Sequence, residues 1–283
     1  MNALNAHKQN EKIPRAFVYL IFGQSEPHYL EARFSIMTLM EHSPATPIIV
    51  LSERCEFFES MARVKCIPLT QQLQQQWLDG DDYLFRIKLK GVQYILTHYV
   101  EKLIFLDTDT IVRTNLNHWF DQIDDQTFVL HEFEGKLAKP KFERQFRRVI
   151  NQSYRLDCNR TVTITPQSPM YNSGVIGISE ASLPLLDDAI LLMMQVNHKT
   201  RWHTAEQLSL GILFALSGTV NIVGNRRVYH YWHKNQKKYL REQIVDFFRD
   251  NPHDTVFQSP QSLNRVKLYR PFFRWLRDKA KVF

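Results

Sequence analysis

Cysteine is scarce and scattered. Cys55, Cys66 and Cys158 are odd in number and widely spaced, and no Cys-x-x-Cys occurs. That pattern argues against a disulfide framework or a zinc site, and reads as three neutral thiols in a reducing compartment. Long apolar runs are missing too. No stretch approaches the roughly 18 continuous apolar residues of a membrane span, so no transmembrane helix is expected. The opening MNALNAHKQNEKIPR is polar and lacks the apolar core of a signal peptide. Residues 1–14 are expected to form a loose leader, and the localisation expected is cytoplasmic. Internal repeats and low-complexity linkers are also absent. Acidic residues are in the minority, and the net charge of +7 favours an anionic partner.

What is present suits a folded α/β domain. Hydrophobic residues make up 44% of the chain and charged residues 23%, enough apolar material for a real core. Ala16–Phe22 is an apolar run of strand length that Gly23 breaks. Ser25 then opens a helix whose apolar positions, including Leu30, Phe34 and Met37, give it one buried face. Pro44 and Pro47 end that helix, and Ile48–Leu51 and Val64–Leu69 follow as strands. Strand, helix and strand in this order form a βαβ unit. Ligands in such folds bind at the carboxyl ends of the strands. Gln71–Gly80 reads as polar surface, and Tyr83–Tyr99 as a helix on which Arg86 and Lys90 share a face.

The most informative stretch is Glu101–Phe120, EKLIFLDTDTIVRTNLNHWF. Leu103–Leu106 reads as a buried strand. Asp107 and Asp109 stand at its end, on the same side of an extended chain. Two carboxylates so placed repel unless a cation lies between them, and hard oxygen ligands suit Mg²⁺ or Mn²⁺. Loss of one of them is therefore expected to leave the metal-free fold as stable or more so. Further on, Thr127–Leu130 reads as a strand and Glu134–Thr161 as an irregular, charged insertion or lid on the acceptor side, with helix signals in FERQFRRVINQSYR. Asn172-Ser173-Gly174 is a turn signal leading into a β-rich run. Leu183–Val196 reads as an amphipathic helix, and Thr204 as the cap of a helix that begins with Glu206 and Gln207.

LIFLDTDTIVRTNLNHWF resembles the Asp-x-Asp segment of GT-A glycosyltransferases, most closely the family 8 and glycogenin-like group. The resemblance implies a GT-A fold, a Rossmann-like, mostly parallel mixed sheet flanked by helices, over residues 15–235, with a basic extension over 236–283. It also implies sugar transfer from a nucleotide-sugar, expected to be a UDP-sugar, to a glycan or lipid-linked glycan, with retention of configuration. By the same resemblance Asp107, Asp109 and His230 would hold the metal, with His233 as the other histidine in reach. Arg86, Lys234 and a lysine on the preceding helix, Lys90 or else Lys88, would face the diphosphate. Asn172, Glu206 and Gln207 would surround the sugar. Tyr29 would lie near the base, or else serve as a half-buried helix aromatic.

Two other readings compete. A sugar nucleotidyltransferase would carry a Gly- and Arg-rich phosphate loop after the first strand, where this chain has GQSEPHYLE. The tail, RVKLYRPFFRWLRDKAKVF, interleaves basic and aromatic residues over 265–283, which suit either attachment of the enzyme to an anionic membrane at its cytoplasmic face or a terminal helix docked on the domain; a non-catalytic basic protein would use the same tail. Nothing resembling a nucleic-acid-binding motif accompanies them, so nucleic acid is not the expected partner.

Overall fold

The computed structural model describes residues 11–157, 160–251, 263 and 266–268. Alternation along the apolar strands sorts the core into two layers. In β1 (Ile13–Ile21), Ala16 and Val18 point to one face, while Phe17, Tyr19 and Ile21 point to the other. In β4 (Val100–Leu106), Leu103 and Phe105 oppose Ile104 and Leu106 in the same way. A strand apolar on both sides must be covered on both sides, which is why these read as continuous apolar runs.

The central sheet has seven strands in the order β10-β6-β9-β4-β1-β2-β3. The others are β2 (Ile48–Ser52), β3 (Val64–Pro68), β6 (Thr127–Lys136), β9 (Pro169–Ser179) and β10 (Thr219–Ile222). β9 runs antiparallel to both its neighbours, and the remaining pairings are parallel. Two small ribbons complete the strands. β5 (Thr110–Val112) pairs with β11 (Val228–His230), and β7 (Gln152–Arg155) pairs with β8 (Thr161–Ile164).

One face carries α3 (Phe85–His98), α5 (Leu183–Thr200) and α6 (Ala205–Ser217), with Trp77 of α2 (Gln71–Leu78) and Phe142 and Phe146 of α4 (Pro140–Phe146). The polar stretch after β3 is therefore a helix, capped by the Thr70 side chain on the Leu73 N–H. Within residues 134–161, α-helix among the described residues is confined to α4, and the QSYR end of the helix-like sequence forms β7. The other face carries α1 (Glu26–His42) and α7 (Lys234–Asp250).

α1 is buried along Tyr29–Leu39 rather than on one stripe. The reason is α7, which covers its outer side through Tyr239, Leu240, Ile244, Phe247 and Phe248. Phe34 and Phe247 meet edge to face at 5.5 Å, and burying each such ring contributes about 1.5–3 kcal/mol. A domain boundary at 235 thus falls inside a helix of the core. Val266 is buried, and Leu263 and Leu268 pack on the same layer. Most of the basic, aromatic tail lies outside the described residues, as does Cys158. Among the described residues no helix is long and apolar enough to cross a membrane.

Cys55 and Cys66 are joined in a disulfide, with Cα atoms 5.6 Å apart. This corrects the expectation of unpaired thiols. The β2–β3 connection folds back, so residues far apart in a spacing pattern become neighbours.

Glu31 shows the electrostatic consequence of the α1–α7 contact. Fully buried, it accepts from the Arg241 guanidinium at 2.9 and 3.2 Å. Burial pushes its carboxyl up to about 7, against the pull of Arg241. A folded-state value above the unfolded one favours the protonated form. Its stabilising contribution is complete below about pH 4.5 and is lost as pH rises through about 7. Between pH 5 and 7.5 the wild-type melting temperature should therefore fall more steeply than that of Glu31→Gln; parallel melting curves would contradict this.

Candidate active site

The site is built where β4 ends. Asp107 and Asp109 leave the strand on a tight turn that Thr110 fastens by donating its hydroxyl to the Asp107 carbonyl at 2.7 Å. Thr110 is itself held by buried Ser35 at 2.8 Å. The antiparallel register of β5 with β11 sets His230 opposite Thr110. That register brings a residue from 121 positions along the chain to the Asp109 carboxylate, with Nε2 to Oδ1 at 3.2 Å. One ligand atom from each of Asp107, Asp109 and His230 can be chosen so that all lie within 4.8 Å of one another.

The His230 tautomer follows from the network. Asn172 Oδ1 accepts the Gly174 backbone N–H at 2.9 Å, which identifies that atom as the oxygen. It also lies 2.9 Å from His230 Nδ1, which must then donate. In the neutral ring, Nε2 is left with its lone pair facing the two aspartates. Burial disfavours the imidazolium, but Asp109 and Asp107 outweigh it and hold His230 above its ordinary value. Burial likewise works against the Asp109 carboxylate, yet His230 and Lys237 keep it well below the usual range. The Lys237 and Lys88 ammonium groups thus stand against the two carboxylates. Two carboxylates and one imidazole, with cationic charge drawn between them, form a donor set that fits a divalent cation of the Mg²⁺ or Mn²⁺ kind.

Two lysines frame the aspartates. Buried Lys88 on α3 reaches Asp107 at 3.0 Å and Glu206 at 3.6 Å, and donates to the Ser173 carbonyl and hydroxyl. Lys237 on α7 reaches Asp109 Oδ2 at 2.7 Å. Glu206 is fully buried in the first turn of α6. Its Oε2 accepts from the Ser173 hydroxyl at 2.8 Å, and its Oε1 has no hydrogen-bond partner. Burial raises its carboxyl, with Lys88 opposing. Gln207 donates to the Tyr171 carbonyl, which leaves its Oε1 for a ligand.

These groups line a cavity of about 540 Å³. Asp107, Asp109, Asn172, Glu206, Gln207 and His230 all line it. Asn172 is occupied in orienting His230 and in donating to Glu134. Arg86 and Lys90 do not face the cavity. Arg86 binds the Leu78 carbonyl and Asp79, and Lys90 binds Gln93. Two residues on a helix are about 200° apart, so choosing Lys90 over Lys88 selects the opposite side. Lys234 begins α7 and is exposed, while Lys237, one turn later, points inward. Tyr29 is buried, stacked on Phe57 with centroids 4.8 Å apart, its hydroxyl bound to the Gly23 carbonyl. His233 stacks on Trp232 and does not line the cavity.

The expected turn at Asn172–Gly174 is instead part of β9. The pairing with β6 shifts between Leu130↔Ile176 and Glu132↔Asn172, so the turn-forming residues produce a bulge. Gly174 is required there. A Cβ on it would lie 2.3 Å from His230 Nδ1 and 2.9 Å from Asn172 Oδ1. Gly174→Ala should push the imidazole aside and weaken Mn²⁺ binding roughly 10–100-fold, as loss of an orienting contact does. A Mn²⁺ titration followed by electron paramagnetic resonance checks this, and unchanged affinity would show that His230 is not a ligand.

No family model and no curated protein matches the chain. Solved structures do. Galactosyltransferase LgtC, determined with donor and acceptor sugar analogues, aligns over 92% of this chain and 99% of its own, with a TM-score of 0.55 at 12% identity. Mouse xyloside xylosyltransferase 1 aligns over 90% and 95% at a TM-score of 0.49 and 14% identity. WbbM, a bifunctional glycosyltransferase, aligns over 77% of this chain, which spans 40% of its length, at 0.47 and 12%. The likeness to LgtC, with the mixed seven-stranded sheet, establishes a GT-A fold.

Proposed function

We propose that the chain is a metal-dependent glycosyltransferase that moves a sugar from a nucleotide-sugar, a UDP-sugar in the first instance, to a glycan or lipid-linked glycan, with retention of configuration. The observation that carries this reading is the convergence of Asp107, Asp109 and His230 at the carboxyl edge of a GT-A sheet. Asp107, Asp109 and His230 would hold Mn²⁺ or Mg²⁺, which when bound supplies Lewis-acid neutralisation of the diphosphate leaving group.

The chain's own groups do the rest. Lys237, paired with Asp109, offers an ammonium to the departing diphosphate. Lys88 holds the Asp107 carboxylate in position from below and neutralises Glu206. The Gln207 Oε1 faces the sugar, where positive charge develops at the anomeric carbon. Glu206 is fixed in the floor by Ser173 and Lys88. A base for inversion must reach an acceptor hydroxyl arriving from solvent. A carboxylate locked in this way does not, which supports retention.

A panel of nucleotide-sugars screened by thermal shift with Mn²⁺ tests the donor. A shift with UDP-sugars that vanishes in EDTA is expected. No shift with any nucleotide-sugar would remove the reading. The product anomer, read by NMR, tests retention.

A further inference from the structure

A second space of about 420 Å³ adjoins the cavity, and Arg144, Gln145 and Trp202 line both. Its remaining wall is Arg147, Arg148 and Thr200. The sequence beneath it is unusually one-signed. Residues 136–148, KLAKPKFERQFRR, hold Lys136, Lys139, Lys141, Arg144, Arg147 and Arg148 against Glu143 alone. α4 and the residues after it turn Arg144, Arg147 and Arg148 outward, while Phe142 and Phe146 anchor the helix in the core. Gln145 donates to Thr204 at 2.5 Å, tying α4 to the loop that carries Trp202.

Lys141, Arg144, Arg147 and Arg148 form no ion pair among the described residues. Arg148 reaches a backbone carbonyl at 3.4 Å, and the Lys141 ammonium lies 5.7 Å from the Trp232 ring. Like charges gathered without counter-charge repel, and such a concave patch attracts an anion. Guanidinium forks suit the planar or tetrahedral oxygens of carboxylate and phosphate. Beside them Trp202 and Trp232 are 43% and 41% exposed. A broad ring face at the mouth of a carbohydrate cavity offers apolar area to the C–H face of a pyranose.

We propose that this bay receives the oxyanion, phosphate or carboxylate, of an acidic acceptor glycan whose sugar ring packs on Trp202. The proposal rests on the glycosyltransferase reading. The bay shares Arg144, Gln145 and Trp202 with the cavity where transfer would occur and has room for an acidic sugar, which favours an acceptor group over a separate macromolecular partner. The test is binding of galactose, galacturonate and galactose 6-phosphate to the full chain by ligand-observed NMR, with wild type and Arg144→Gln/Arg147→Gln. At least one acidic sugar is expected to bind ten times or more as tightly as galactose. In the double variant the preference should fall below twofold, and Arg147→Glu should reverse it. Which acid gains identifies phosphate, carboxylate or either as the group recognised. No preference, no detectable binding by the acidic sugars, or a preference that survives the double variant overturns the proposal. UDP-sugar hydrolysis by the same preparation needs no acceptor, so it reports separately on the underlying reading.

Discussion

Asp109→Asn is expected to abolish transfer and to lower the stability of the metal-free protein by about 3 kcal/mol, the cost of breaking a buried ion pair. The activity loss should be on the order of 10³-fold or more, because a ligand is lost where leaving-group charge develops. The stability sign is the reverse of what two adjacent carboxylates suggest in the sequence alone. Asp109 does not face an uncompensated Asp107. It stands between His230 at 3.2 Å and Lys237 at 2.7 Å, while Asp107 is matched by Lys88. Removing its charge leaves cations, not carboxylates, without partners. Lys237 relieves part of the cost by its partial exposure, so the lower end of the range applies. Denaturant titration in EDTA measures the stability, and UDP release measures the activity. A variant as stable as wild type would show that these ion pairs contribute nothing, and wild-type turnover at saturating Mn²⁺ would exclude Asp109 as a ligand.

Lys88→Met should be the most destabilising substitution in the site. It strands Glu206, whose Oε1 already lacks a hydrogen-bond partner, and takes from Asp107 its nearest cation. An uncompensated buried carboxylate costs about 3–5 kcal/mol, or roughly 10 °C in melting temperature for a chain of this size. Glu206→Met strands Lys88 in turn. The double variant leaves a more apolar floor, so it should be less destabilised than the sum of the singles by about 2 kcal/mol. Additive melting losses would mean that Lys88 and Glu206 pack side by side without energetic coupling. Donor hydrolysis should be lost in Lys88→Met and in the double variant, since Lys88 also holds Asp107.

Much of this site was readable in the chain, and the misses have physical causes. Leu103–Leu106 followed by Asp107 and Asp109 announces itself, because a buried strand ending in paired acids is a local pattern. His230 comes from the family resemblance, since a histidine alone carries no local pattern of a ligand. The β5–β11 register that selects it over His233 is a tertiary fact. The shared face of Arg86 and Lys90 favours Lys90 over Lys88 in the sequence. That face proves to be the outer one, tied to Leu78, Asp79 and Gln93. Lys237 carries no signal in the sequence because the segment after 235 reads as an extension, whereas α7 is a core helix packed on α1. Knowing that the helix begins at Lys234 would have placed Lys237 one turn in. The Asn172–Gly174 signal was real but is expressed as a bulge, since β4 and β6 pair β9 on both sides. The Cys55–Cys66 pairing depends on a loop folding back, which spacing alone does not encode.

The most direct measurement is UDP release from a panel of UDP-sugars by the full chain, without acceptor, titrated with Mn²⁺ from an EDTA-treated start. The account predicts slow hydrolysis of at least one UDP-sugar that rises saturably with Mn²⁺, and that is absent in EDTA and in Asp109→Asn. Hydrolysis that proceeds equally in EDTA, or persists in Asp109→Asn, would contradict it.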